Sequence, residues 1–183
     1  MRTFIERFAM RNLFLCFLVP LLLSCGATVA IDYDKKADFT SYTTYDFYPT
    51  IDSGLNELDD RRIMKAIDSV LLQRPTFQKT EDPQLLINFF AKEYLSNSRN
   101  SIGIGVGGGG GNVGVGVSGG IPIGGKEVNQ TLTIDFIDAA TDQLVWQAVV
   151  DGSYKERATP VQKEAYYYTV IAKALKKFPP KEK

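Results

Sequence analysis

The sequence predicts an α+β fold. A mostly antiparallel sheet of about five strands carries two helices on one face, in the order β-β-α-β-β-β-α, with a glycine-rich insertion. Three observations predict it. Five segments alternate apolar and polar residues or are dense in β-branched and aromatic ones. Two others carry apolar stripes at helical spacing and run into proline. No linker divides the chain beyond residue 30, so residues 31–180 read as one domain and 181–183 as a solvated tail.

The elements follow in order. "VAIDYD", from Val29 to Asp34, alternates as a strand does, and "KKADFTS" turns the chain into "YTTYDFYP", a second strand stopped by Pro49. From Leu58 to Arg74, Ile63, Ala66, Ile67, Val70 and Leu71 make one stripe, with Asn56 or Asp59 as the cap and Pro75 as the stop. Pro83 to Ser96 is a long strand with Leu85, Ile87, Phe89 and Ala91 on one face and Leu86, Phe90 and Tyr94 on the other. "EVNQTLTIDFID" and "QLVWQAVVDGSY" flank a four-residue turn in which Asp138 and Asp142 bond amides. Leu144, Trp146, Ala148 and Val150 share a face of the second. Thr159 and Pro160 open the last helix as N-cap and first helical residue. Its expected core stripe is Val161, Ala165, Tyr168, Ala172 and Leu175, widened by Ile171 and Phe178, and Pro179 ends it.

The N-terminus reads differently. Arg2, Arg7 and Arg11 precede an apolar run from Leu13 to Leu23, too short for a comfortable helical span and broken by Pro20. It ends in Leu22-Leu23-Ser24-Cys25-Gly26, the order of a bacterial lipobox. Residues 1–24 therefore read as a lipoprotein signal peptide, with Met10 a second candidate start. Cys25 is the expected lipidation site, followed by a short tether over residues 25–30. Two or three acyl chains hold a protein on a membrane where one is marginal. The expected location is the bacterial envelope. The absence of an acidic residue after Cys25 favours the outer membrane.

Cysteine and charge agree with that reading. Cys16 lies in the leader and Cys25 is the acylated residue, which leaves no cysteine for a disulfide. Removing residues 1–24 takes three arginines and one glutamate from 21 basic and 21 acidic residues, leaving 18 and 20, a formal charge of −2. No basic surplus supports a nucleic-acid partner.

Chemistry is sparse. The chain has no histidine, which removes Ser-His and Cys-His mechanisms and disfavours zinc. Asp32 and Asp34, or the group Asp135, Asp138, Asp142 and Asp151, are the carboxylates on which a paired-acid hydrolase or a calcium site would draw. Turn capping and solvated strand edges explain them more simply. In Ser101 to Gly125, Gly103, Gly105 and Gly108 fit the spacing of a dinucleotide fingerprint. "GIPIGGK" starts a phosphate loop but meets Glu127 where Ser or Thr should stand. No helix follows either match, so neither makes an anion site. Ile102, Ile104 and Val106 alternate with glycine, as do Val113, Val115 and Val117, which suggests a hairpin flap able to meet a partner, the membrane or another copy.

"IDYDKKADFTSYTTYDFYP", "DPQLLINFFAKE" and "LTIDFIDAATDQLVWQAVVDGSY", with a last helix ending in "KKFPP", resemble domain of unknown function 4136, a family of bacterial lipoproteins. The resemblance covers about Ile31 to Pro180. It implies an envelope lipoprotein with an α+β domain and brings no catalytic residue, cofactor or ligand. The expected function is a non-enzymatic binding or assembly module held on the outer membrane. The alternatives are a carboxylate-dependent envelope hydrolase and an accessory subunit of an envelope transport complex.

Overall fold

A computed structural model describes residues 27–97, 101–102, 121–122 and 125–180. The expected signal peptide over residues 1–24, Cys25, most of the glycine-rich segment and the tail 181–183 lie outside the described residues.

The elements are β1 (Thr28–Tyr33), β2 (Thr44–Phe47), α1 (Glu57–Leu71), β3 (Gln78–Lys79), β4 (Leu85–Asn97), β5 (Ser101–Ile102), β6 (Ile121–Pro122), β7 (Lys126–Asp138), β8 (Gln143–Lys155) and α2 (Pro160–Leu175). Six strands form one sheet in the order β1-β8-β7-β4-β2-β3, and β5 and β6 pair by themselves. The α+β class and both helices agree with the sequence reading, but the sheet is mixed rather than mostly antiparallel. β2 runs parallel to both β3 and β4, while β1–β8, β8–β7 and β7–β4 are antiparallel. The reason is α1. It carries the chain from the end of β2 back to the start of β4, and neighbouring strands joined by such a crossover must be parallel.

One face of the sheet is buried. Leu85, Ile87 and Phe89 of β4, Leu132, Ile134 and Phe136 of β7, and Trp146, Ala148 and Val150 of β8 form a layer with Ile63, Ile67 and Leu71 of α1 and Tyr167, Ile171, Ala174 and Leu175 of α2. The fully buried core residues lie between 45 and 178, and Ala27, Val29, Ile31 and Tyr33 pack against them. On the opposite face Phe90, Tyr94 and Lys92 are exposed.

Two expected faces need correction. Along α2 the buried stripe is Tyr167, Val170, Ile171, Ala174 and Leu175, whereas Val161 and Tyr168 are exposed. The stripe is turned by about one residue, roughly 100° on a helix. On β8, Leu144 does not share the face of Trp146. The β7–β8 ladder passes from Phe136↔Trp146 to Ile137↔Leu144, a bulge that turns Val145 inward and Leu144 out.

The helix starts follow their sequence signals. Asn56 accepts from the backbone N–H groups of Leu58 and Asp59 at the start of α1. Thr159 and Gln162 close a capping box at the start of α2, with Pro160 in the first turn.

β1 is a sheet edge, and α2 guards it. Lys173 Nζ donates to the carbonyl of Ala27, and Lys177 Nζ to that of Val29 at 2.9 Å. Two otherwise open acceptors of the edge are occupied this way.

Candidate binding cavity

Beyond Tyr33, the far end of β1, a cavity of about 760 Å³ opens between the β1–β2 loop, the segment after α1, and Pro179-Pro180. Its walls are aromatic. Tyr33 meets Phe39 edge-on at 6.1 Å, and Phe39 meets Tyr42 at 6.2 Å and Phe178 at 5.9 Å. Phe77 lines the other side and touches Phe178 at 5.7 Å. Phe178 also packs on Phe136 and Trp146, so the floor is continuous with the core. The volume and the aromatic wall suit a small-molecule site.

Polar side chains also face the cavity: Asp34, Lys35, Thr40, Thr43 and Thr76 stand beside Tyr42 and Arg74. Arg74 enters the lining from the turn after α1. Its guanidinium donates to the carbonyls of Phe178 and Leu175, at the C-terminal end of α2, and sits 5.8 Å from the Phe178 ring centre. Burial pulls its pKa below the ordinary arginine value. Tyr42 donates to Asp138 at 2.8 Å. Burial first, and then that bond, pushes its phenol up to about 12, so it stays protonated at neutral pH.

A second, wider and more open hollow of about 990 Å³ runs along the end of β8 and α2, with Ala27 and Thr28 on its lip. A polar knot stands at its floor. Glu93 accepts from Gln130 at 2.6 Å and from Tyr154 at 2.8 Å, and Gln130 also contacts Tyr166 and Tyr167. Burial raises the pKa of Tyr154, Tyr166 and Tyr167, so all three stay protonated. Sequence reasoning put Tyr168 in the core stripe; in the structure Tyr167 is fully buried and Tyr168 exposed.

The carboxylates singled out in the sequence do not converge. Asp138 caps the β7–β8 turn, accepting from the N–H groups of Ala140 and Thr141, and Asp142 sits in the left-handed region at φ 54°. Asp151 accepts from Thr131, and Asp135 from Gln147. Asp34 accepts from the N–H of Lys36, and Asp32 from that of Tyr33. Among the described residues no group of three or more Cys, Asp or Glu is arranged to hold a metal ion. No helix of the described residues is long and apolar enough to cross a membrane.

The sequence signature of domain of unknown function DUF4136 matches residues 29–180. The chain belongs to the DUF4136 family. The fold of this DUF4136 protein is similar to that of a PDZ domain protein from Parabacteroides distasonis. The TM-score is 0.53 at 16% identity, and the match covers 86% of this chain but only 37% of that one. PelC from Paraburkholderia phytofirmans, solved as a dodecamer in two crystal forms, matches at TM-scores of 0.48 and 0.43 with 14% and 13% identity, over 81% of this chain and 95% of PelC. No curated protein matches the sequence. The likeness to the first is one of fold alone.

Sequence reasoning did not find the cavity. Its wall comes from Tyr33, Phe39, Tyr42 and Phe77, and its cation from Arg74. The one available signal was the run of aromatics from Tyr33 to Tyr48, in a stretch where only two short strands need side chains to pack.

Proposed function

We propose that this DUF4136 protein is a bacterial envelope lipoprotein, acylated at Cys25 and held on the outer membrane, that binds a small ligand in the aromatic cavity. It works as a binding module rather than a hydrolase.

The observation that carries this reading is the arrangement along β1. The strand begins at Thr28, so only Gly26 and Ala27 stand between Cys25 and the sheet. Lys173 and Lys177 clip that same end of β1 to α2. The cavity opens past Tyr33, five residues along from Thr28, about 17 Å at strand rise. An anchor at one end and a cavity at the other suit a receptor that turns its mouth away from the lipid. The hydrolase alternative draws no support from the six aspartates, each of which serves a local turn or cross-strand bond or lies in a turn itself.

Mass spectrometry of the mature N-terminus tests the anchor. The expected product begins at Cys25 and carries acyl chains, and the Cys25→Ala protein is no longer recovered with membranes. An unmodified Cys25 in a membrane-free protein would sink the reading.

A further inference from the structure

We infer that the aromatic cavity takes an apolar anion: a molecule with one carboxylate or similar singly charged group on a compact hydrophobic body. This rests on the cavity being the binding site proposed above.

The argument turns on Arg74. Its guanidinium has five N–H donors, and its two observed hydrogen bonds go to main-chain carbonyls. Those carbonyls carry only partial charge. Among the described residues no carboxylate lies within salt-bridge distance of it, although Arg61 and Arg62 each pair with an acid. A partly buried cation with no counterion is costly, and a ligand that brings the missing charge removes that cost.

The acids near the cavity are already engaged. Asp34, itself in the lining, turns onto its own loop through the N–H of Lys36 at 2.8 Å, and Asp38 accepts from the N–H and hydroxyl of Thr40. Asp138 takes the Tyr42 hydroxyl and three donors of its own turn. Lys35 adds a second cation to the lining and Asp34 one carboxylate, so Arg74 and Lys35 leave the lining with a surplus of positive charge. The aromatic wall supplies the other half of the ligand. Rings held edge-on to one another leave faces and edges that accept flat or linear apolar groups. Arginine suits the charged end because its planar fork matches a carboxylate.

The test uses the chain from Ala27 to Lys183, which contains the whole core and lacks Cys25. The probes are 3-phenylpropionate and octanoate, each against its neutral primary amide. Trp146 is the only tryptophan and lies 5.3 Å from Phe178, so its emission reports the cavity floor; the thermal midpoint is the second readout. At least one acid is expected to bind about tenfold or more tighter than its amide, and to weaken as salt screens the charge. Arg74→Gln should remove the preference for acid over amide. Because Arg74 also holds the end of α2, Lys35→Gln serves as the second variant, with affinity for the acid reduced severalfold and an unchanged thermal midpoint. Acid and amide binding equally would overturn the anion inference and leave the cavity standing as a site. No response to any of the four probes would overturn both. Neither result bears on the acylation of Cys25.

Discussion

At the scale of single residues, a buried aspartate and a half-buried one behave in opposite ways. Asp59, the third residue of α1, is almost wholly buried. Burial raises its pKa, but bonds from Lys163 at 2.7 Å, Asn56 at 2.7 Å and Arg62 at 2.6 Å outweigh that and hold it below the ordinary carboxylate value. A depressed carboxyl stabilises the fold above its unfolded pKa, near 3.9, and the contribution is lost as pH falls through the lower folded value. Asp59→Ala strands Arg62 and Lys163 and should cost about 3 kcal/mol at pH 7 by denaturant melts, with a flatter acid limb. Asp135 is the reverse case. Burial raises its pKa, and only Gln147 partly offsets this. A raised carboxyl costs stability once pH exceeds its unfolded value. Asp135→Asn should therefore raise the thermal midpoint at pH 7, by about 2–4 °C per kcal/mol recovered, and give no gain below about pH 4. Trp146 stands apart: its Nε1 is buried with no hydrogen-bond partner among the described residues. The structure offers no compensation for it.

At the scale of elements, the contact between β8 and α2 depends on a missing side chain. A Cβ on Gly152 would lie 2.8 Å from the Tyr166 hydroxyl, against which the strand now rests. Gly152→Ala should push the Tyr166 ring off Tyr154, now 4.8 Å away, and cost about 1–3 kcal/mol as overpacking does. Changes at Tyr166 and Tyr154 in aromatic proton spectra would check it. The end of α2 makes a second joint. Phe178 touches Phe39, Phe77, Phe136 and Trp146, rings from four separate segments. Phe178→Ala should cost about 3–5 kcal/mol in a denaturant melt and shift Trp146 emission. This joint also shows what the sequence could tell. The elements themselves were legible: Thr159 and Pro160 start α2, and Leu85, Ile87 and Phe89 mark the buried face of β4. The pairing of β2 with β4 was not, because parallel and antiparallel neighbours bury the same residues. The α2 stripe was misread because aromatic and alanine residues surround that helix, and only the shape of the sheet decides which side lies against it. The bulge at Leu144 leaves no trace in an otherwise regular alternation. The cavity gathers residues from positions 33 to 180, and no local spacing encodes such a meeting.

At the scale of the whole molecule, the sheet has two borders of different kinds. One ends in β3, only two residues long, where Lys79 bridges Asp46 and Asp68 and covers the Phe47 ring. The other is β1, six residues long, where Lys173 of α2 donates to the carbonyl of Ala27, just before the strand, and Lys177, just past the helix, to that of Val29. Replacing Lys173 and Lys177 together by alanine should leave the core intact and raise self-association, seen as larger particles in light scattering at an unchanged thermal midpoint. On the membrane surface proposed for this protein, that guard would have a social meaning. Neighbours collide side-on far more often than they would in free solution, and a bare strand border would let each collision zip into the next. There, two ammonium groups would turn that seam into a bumper, and a densely populated patch would stay a fluid of individuals instead of setting into fibres.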